Sequence, residues 1–230
     1  MQRLALFDLD NTLLPIDSDV SWAKFLIDQK VVNADWYAKR NDYFYAQYCA
    51  GTLDIYEFLD FQLAPLAQHP REQLLQWRSE FIETVIQPHM LPAAHDLVKH
   101  HQDSGALCAI VTATNSFITG PIAHAFGVEH LIATEIEISA NGQFTGKPLG
   151  LPSFREGKVT RVEQWLAQQG LGLEDFDFST FYSDSFNDLP LLARVKHPVA
   201  VNPDKRLLSH AKAQQWQVLE LFPRVESTDD

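Results

Sequence analysis

The sequence predicts an α/β protein in which a mainly parallel sheet, covered by helices, is interrupted after its first strand by a long helical insertion. Three observations predict this. Residues 3–7 form a short apolar run that ends at two acids, Asp8 and Asp10. Residues 18–86 then carry aromatic and aliphatic side chains at helical spacing, with no convincing strand among them. Beyond Pro88 and Pro92, helix-like and strand-like stretches alternate, the pattern of a parallel sheet with helices on both faces.

Each element follows from its local chemistry. In the insertion, Trp22, Phe25 and Leu26, then Trp36, Tyr37, Phe44, Tyr45 and Tyr48, recur among charged residues. Gly51 can end one helix, and residues 53–63 can form the next. A turn at residues 67–70, closed by Pro70, precedes a helix expected over 71–86. Residues 93–102 read as a helix, 106–112 as a buried strand, 120–126 as a helix and 131–138 as extended. Asn141-Gly142, set between extended segments, is a hairpin-turn signal. Ser153 and Glu156 have capping-box spacing and open a helix carrying Lys158, Val162, Trp165 and Leu166. Strands are expected at 178–182, 198–201 and 217–221, and the polar tail 225–230 is expected to fray.

Bulk properties narrow the function. Of 230 residues, 46% are hydrophobic and 21% charged, as in ordinary globular proteins. A formal charge of −12 argues against nucleic-acid binding, which needs clustered Lys and Arg. It leaves room for a small phosphorylated partner, because a bound divalent cation supplies local positive charge. The two cysteines, Cys49 and Cys108, lack metal-ligand spacing and sit among apolar or aromatic neighbours, so buried thiols in a reducing compartment are expected. No apolar run approaches the ~20 residues that span a bilayer, and Asp8 arrives too early for a signal peptide. A cytoplasmic protein without membrane contact is the expectation.

Four segments carry candidate chemistry. Asp8 and Asp10 leave a buried strand at its carboxyl end, where open parallel sheets bind ligands. One of them could instead cap a helix, but capping does not explain two acids directly after a buried strand. Thr112, Ala113 and Thr114 end another apolar run, and hydroxyls with free backbone N–H groups at a helix start suit a phosphate. Lys158 lies on an amphipathic helix and by itself reads as a solvated charge. Asp184 and Asp188, four residues apart after a strand, could hold a hard cation or cap a helix.

Taken together and in this order, Asp8-x-Asp10-x-Thr12, Thr112, Lys158, and Asp184 with Asp188 resemble the haloacid-dehalogenase superfamily, in the phosphatase branch close to phosphoserine phosphatase. The motifs span residues 8–188. The resemblance implies a Rossmann-like core, residues 1–16 and 87–230, with a helical C1-type cap over residues 17–86. It further implies that Asp8 attacks phosphorus and Asp10 serves as acid and base. Thr112 and Lys158 would hold the phosphoryl oxygens, and Mg²⁺ would sit among Asp8, the Asp10 carbonyl, Asp184 and Asp188. Lys147 competes with Lys158, and Thr114 with Thr112. Lys158 is preferred because it begins a helix ahead of the last motif, and Thr112 because it directly follows the apolar run.

In phosphoserine phosphatases an acid nine residues after the nucleophile meets the substrate ammonium, and here that position is Asp17. Asp17 or Asp19 could therefore recognise an amine, or cap the helix that begins near Val20. Thr12, Ala113 and Asn187 join them as expected substrate contacts. Lys39 and Arg40 are candidates for a substrate carboxylate, with solvated charge as the plainer reading. The phrases around Thr112–Phe117 and Ser153–Val159 look like a bacterial branch that includes stand-alone histidinol-phosphatases, which makes L-histidinol phosphate the leading substrate and phosphoserine the next. A broad-specificity phosphatase, a phosphomutase and a non-catalytic phosphoryl-binding module are the rivals. His95, His100 and His101 share a helix without an i,i+4 pair and read as a solvated face rather than a metal site.

Overall fold

The computed structural model describes residues 2–223, so the tail at 225–230 lies outside the described residues. Strand β1 (Arg3–Phe7) leads into four helices, α1 (Ser18–Asp28), α2 (Ala34–Ala50), α3 (Ile55–Gln68) and α4 (Arg71–Phe81). Helix α5 (Pro92–Asp103), β2 (Leu107–Asn115), α6 (Ser116–Ala125) and the antiparallel pair β3 (His130–Ile138) and β4 (Phe144–Leu149) follow. The chain closes with α7 (Glu156–Ala167), β5 (Phe178–Ser183), α8 (Leu189–Leu192), β6 (His197–Val201), α9 (Lys205–Ala213) and β7 (Gln217–Leu219).

The sheet has seven strands in the order β4-β3-β2-β1-β5-β6-β7, and every neighbouring pair except β3/β4 is parallel. Strand β1 lies at its centre, with Leu4 opposite Leu107 on one side and Ser179 on the other. Side chains alternate between faces along a strand. Ala5 and Phe7 accordingly join one hydrophobic cluster, with Ile110, Val199 and Val201, while Leu4 and Leu6 join another, with Val111, Val162 and Phe181. Both faces are covered, which is why β1 reads as an unbroken apolar run.

The insertion packs onto this core. Trp22, Phe25, Leu59, Leu63, Leu74 and Phe81 belong to the same cluster as Phe7, Ile110 and Phe117. A smaller cluster of Ala23, Tyr37, Phe44, Leu53 and Phe61 holds α1, α2 and α3 to one another. Asp17, Asn33 and Asp54 cap these three helices through side-chain oxygens that accept first-turn N–H groups. Gly51 ends α2 at φ 74°, a conformation that costs glycine least, with its N–H directed at the carbonyls of Gln47 and Tyr48.

Several boundaries differ from the sequence expectations for identifiable reasons. The Asp54 cap starts α3 at Ile55 rather than residue 53, and the helix runs through Pro65 to Gln68. The helix expected over 71–86 is α-helical only to Phe81. It continues as a π-helical turn, Ile82–Ile86, and a 3₁₀ turn containing Pro88, whose nitrogen has no hydrogen to donate. Asn115 accepts from Ile118 N–H, so α6 begins at Ser116, ahead of Gly120. The expected capping box does not form: Ser153 donates its hydroxyl to the Ile132 carbonyl and its N–H to Thr134 Oγ1, while Arg155, at φ 50°, precedes α7. Both cysteines are free, but Cys49 is exposed on α2, against the expectation of two buried thiols. No helix among the described residues is long and apolar enough to cross a membrane.

Candidate active site

Because β1, β2 and β5 run parallel side by side, their carboxyl ends deliver Asp8, Thr112 to Asn115, and Asp184 to one edge of the sheet. A cavity of about 600 Å³ opens there. The core contributes Asp8, Asp10, Thr112, Ala113, Lys158 and Asp184, while the insertion roofs it with Asn41, Phe44, Tyr48, Phe58 and Gln62.

Asp8 is fixed by its N–H, which donates to the Tyr182 carbonyl at 2.9 Å, extending the β1/β5 ladder by one residue. The chain then turns sharply, with Asn11 at φ 57° and the N–H groups of Thr12, Leu13 and Leu14 all directed at the Leu9 carbonyl. That turn folds Thr12 back beneath the acids, where its hydroxyl lies 3.3 Å from Asp8 Oδ2 and 3.2 Å from Asp184 Oδ1 and accepts from Asp184 N–H at 3.0 Å. Thr12 is fully buried and does not line the cavity, so it ties the acids together instead of meeting a substrate.

Lys158 Nζ donates at 2.7 Å to both Asp8 Oδ1 and Asp188 Oδ2. Asp188 Oδ2 also accepts from the Ser183 hydroxyl at 2.7 Å. Burial opposes the ammonium charge, but Asp188 and Asp8 outweigh it and hold the Lys158 pKa above its ordinary value. Lys147 is remote from this network, paired with Asp60 at 2.6 Å on the surface. Asp10 is oriented from two sides: Ser18 N–H donates to its Oδ1 and the Thr114 hydroxyl to its Oδ2, each at 2.7 Å. Thr112 Oγ1, deeply buried, accepts from Thr114 N–H at 3.1 Å. Of the two threonines, Thr114 is therefore the one whose hydroxyl meets Asp10, and Thr112 holds the Thr114 main chain.

The site is short of positive charge. Burial pushes Asp8 up to about 7, with Lys158 pulling it down and Asp188 and Asp10 adding to the rise. Burial, then the charge of Asp17, pushes Asp10 to about 6. Asp184 stands well above its ordinary value through burial and the neighbouring Asp8 and Asp188. The donors are hard carboxylate oxygens, two of which, Asp8 Oδ2 and Asp184 Oδ1, converge on the Thr12 hydroxyl. This set fits Mg²⁺, which prefers oxygen ligands and retains several waters. Among the described residues no group of three or more His, Cys, Asp or Glu side chains is gathered as a ready-made metal cage.

The remaining sequence candidates are distributed unevenly. Asp17 lines the cavity but spends Oδ1 capping α1, accepting from Asp19 and Val20 N–H at 2.9 Å. Asp19 lines the cavity with Oδ1 unpartnered. Asn187 lines it too, held by Arg155 at its Oδ1 and donating to the Tyr48 carbonyl. Lys39 and Arg40 do not reach it; Arg40 pairs with Glu57 and lies over Phe44. Arg206 and Lys205 line it instead, and Arg206 stacks on Phe186. His101 bonds the Tyr182 hydroxyl at 2.7 Å and His95 lies against Phe126, away from the acids. Sequence reasoning missed Gln62, Tyr48 and Arg206, whose roles depend on long-range packing; Thr114 was legible from its place two residues beyond Thr112.

A family model for haloacid dehalogenase-like hydrolases matches residues 5–193. The chain belongs to that family. A histidinol-phosphatase of Neisseria meningitidis serogroup C (strain 8013) is 46% identical over 219 residues, covering 95% of this chain and 99% of that protein. A crystal structure of a protein of unknown function from Bordetella pertussis Tohama I superposes with a TM-score of 0.91 at 51% identity, over 96% of this chain and 100% of the other. A phospho-aspartyl intermediate analogue of phosphoserine phosphatase has a TM-score of 0.66 at 17% identity, over 97% and 95% of the two chains, a likeness of fold. Within the haloacid dehalogenase-like hydrolases this chain therefore groups with phosphatases.

Proposed function

We propose that this protein is a Mg²⁺-dependent phosphomonoester hydrolase that works through an aspartyl-phosphate, with L-histidinol phosphate as its substrate. The observation that carries the chemistry is the Lys158 ammonium, 2.7 Å from both Asp8 and Asp188 at the floor of the cavity. Asp8 Oδ attacks phosphorus, and the P–O bond to the leaving alkoxide breaks as Asp10 gives it a proton. Water then attacks the acyl phosphate, Asp10 takes back a proton, and phosphate leaves with Asp8 restored. An Asp10 carboxyl near 6, with both oxygens oriented by hydrogen bonds, can hold and release a proton near neutrality. Lys158 and Thr112 offset charge on the phosphoryl oxygens. Asp8, the Asp10 carbonyl, Asp184 and Asp188 would hold Mg²⁺, which supplies charge neutralisation between the anionic carboxylate and the phosphate.

Residues 17–86 act in this reading as a cap over a core formed by 1–16 and 87–230, selecting the leaving group. The acidic wall of Asp17 and Asp19 suits a substrate bearing an amine, and the Neisseria relative supports histidinol phosphate in particular. Phosphoserine is the second reading, favoured by Arg206 and Lys205 on the cavity lining, which could meet a carboxylate. Free thiols at Cys49 and Cys108 suit a reducing cytoplasm.

The test is phosphate release from histidinol phosphate, phosphoserine and p-nitrophenyl phosphate with and without Mg²⁺, in the wild type, Asp8→Asn and Asp10→Asn. Mg²⁺-dependent turnover should vanish in Asp8→Asn and fall by about 10²- to 10⁴-fold in Asp10→Asn. Undiminished activity in Asp8→Asn would remove the mechanism. A histidinol phosphate rate no greater than that of p-nitrophenyl phosphate would remove the substrate.

A further inference from the structure

The C-terminal end of α2 meets the turn that carries Asp184 and Asp188 through hydrogen bonds that run in both directions. That turn, residues 184–188, is organised around Ser185. Its N–H donates to Ser183 Oγ at 3.2 Å, and the Ser183 hydroxyl donates in turn to Asp188 Oδ2 at 2.7 Å. The Ser185 carbonyl accepts from Asp188 N–H at 3.1 Å, and Ser185 Oγ accepts from Asn187 N–H at 3.2 Å. One further bond reaches Ser185 from outside the turn: the Tyr48 hydroxyl, on the last turn of α2, donates to Ser185 Oγ at 2.8 Å. Asn187 returns the contact, its Nδ2 donating to the Tyr48 carbonyl at 3.3 Å.

Two arginines of the core complete this junction. Arg155 gives two bonds to Asn187 Oδ1, at 3.2 and 3.0 Å, and Arg206 reaches the Cys49 carbonyl at 3.5 Å. Gly51 leaves room for both, since a Cβ there would stand 3.1 Å from Arg206 and 3.4 Å from Arg155. The carbonyl end of a helix favours cations. Arg155 holds φ 50° and ψ −120°, a conformation that persists in a residue with a side chain only where surrounding contacts enforce it. Burial, then the charges of Asp184 and Asp188, holds the Tyr48 phenol well above its ordinary value, so it stays a donor.

We infer that Tyr48 is a positioning residue for Mg²⁺, holding Ser185 from the insertion and so fixing the turn whose two acids would bind the ion. Tyr48 acts here through Ser185 and touches neither ion nor phosphoryl group. Without its hydroxyl the turn keeps only its internal bonds, and affinity falls with the fraction of molecules in the binding arrangement. This inference rests on the Mg²⁺ reading of the acids and names the group in the insertion that holds them.

The experiment titrates Mg²⁺ into substrate-free protein by calorimetry, in the wild type, Tyr48→Phe, Ser185→Ala, the double variant and Tyr37→Phe. Tyr48→Phe should weaken Mg²⁺ binding by about 3- to 10-fold, the worth of one hydrogen bond. The double variant should bind about as well as Ser185→Ala, because the two changes remove the same bond. Tyr37→Phe loses a hydroxyl bond to Gln62 inside the insertion and should bind as the wild type does. Coupling of this kind is reciprocal, so Mg²⁺ should also slow amide hydrogen exchange at the C-terminal end of α2 in the wild type. A wild-type Kd in folded Tyr48→Phe, additive losses in the double variant, an equal loss in Tyr37→Phe, or exchange in α2 unmoved by Mg²⁺ overturns the inference. A wild type that binds no Mg²⁺ removes the metal reading itself, and this inference with it.

Discussion

Replacing Lys158 with methionine tests the charge balance of the floor. The ammonium is 2.7 Å from carboxylate oxygens of both Asp8 and Asp188, and the side chain is 3% exposed. Methionine keeps an unbranched apolar stem in the same space, but it leaves two buried carboxylates with no cation between them. Removing one partner of a buried ion pair costs about 3–5 kcal/mol, a large share of the ~5–15 kcal/mol that stabilises a typical protein. The pH dependence distinguishes lost charge from lost packing. Asp8 already stands at about 7 with Lys158 in place, against 3.8 for an ordinary carboxyl, and loss of the ammonium raises it further. The native state then holds a proton that the unfolded state has released, so stability falls as pH rises across that interval. Both native states hold that proton below about 7, so the Lys158→Met penalty should be smaller near about pH 5 than near about pH 8, where only the variant still retains it. Urea unfolding in the presence of a chelator, followed by tryptophan fluorescence at both pH values, measures it. A penalty below ~1 kcal/mol at the higher pH, or one that is the same at both, refutes the charge argument.

Mg²⁺ should raise the melting temperature of the wild type, since a ligand at a hundred times its Kd adds about 2.7 kcal/mol; Asp184→Asn should lose most of that shift in a calorimetric scan. Gly157→Ala should destabilise the protein by about 1–3 kcal/mol and lower phosphatase activity, because a Cβ there meets the Pro152 carbonyl and displaces the first turn of α7 that carries Lys158. Equal melting temperatures for Gly157→Ala and wild type would show that α7 tolerates the shift. His101, drawn down to about 4 by burial and by the neighbouring His100 and Arg3, stays neutral in the folded protein while its ordinary value is 6.5. Its contribution is therefore present above about pH 6.5 and is lost as pH falls toward 4, by less than the ~1.36 kcal/mol per unit of a fully buried group because the ring is partly exposed. His101→Gln should flatten that part of the stability profile in denaturant titrations, and an unchanged slope would count against it.

The sequence made some of this legible because some of it is local. An apolar run ending in two acids needs no partner to be recognised, and β1 with Asp8 and Asp10 lies where the pattern placed it. The acid and hydroxyl positions at the ends of β2 and β5 follow from the same rule, since parallel strands bring their carboxyl ends to one edge. The Ser153 and Glu156 spacing failed for the converse reason: a capping box is a local signal, and here Ser153 is claimed by Ile132 and Thr134 on β3. The aromatic neighbours of Cys49 suggest burial, yet Tyr45 and Cys49 share the face of α2 that opens toward the cavity. Gln62 carried no signal at all in the sequence. Its place in the cavity wall goes with a hydrogen bond from Tyr37, 25 residues away, which no local pattern announces.

Those two kinds of residue divide the molecule's chemistry. The groups that act on phosphorus in our reading come from strand ends of the sheet, where their main-chain N–H groups anchor them: Asp8 to the Tyr182 carbonyl, and Asp184 to the Thr12 hydroxyl. The groups that would face the leaving group in this reading line the cavity mainly from α1, α2 and α3, which are held to the core by side-chain packing around Trp22, Phe81 and Phe117. Packing tolerates substitution of comparable volume better than a buried ion network tolerates loss of a charge. Change in the helices away from Tyr48 can therefore reshape the cavity wall while Asp8, Lys158 and Asp188 stay where they are. In our reading phosphoryl chemistry and leaving-group choice are therefore separable in this fold, and substitutions in α1 to α3 other than at Tyr48 should move substrate preference further than they move the Mg²⁺-linked stability.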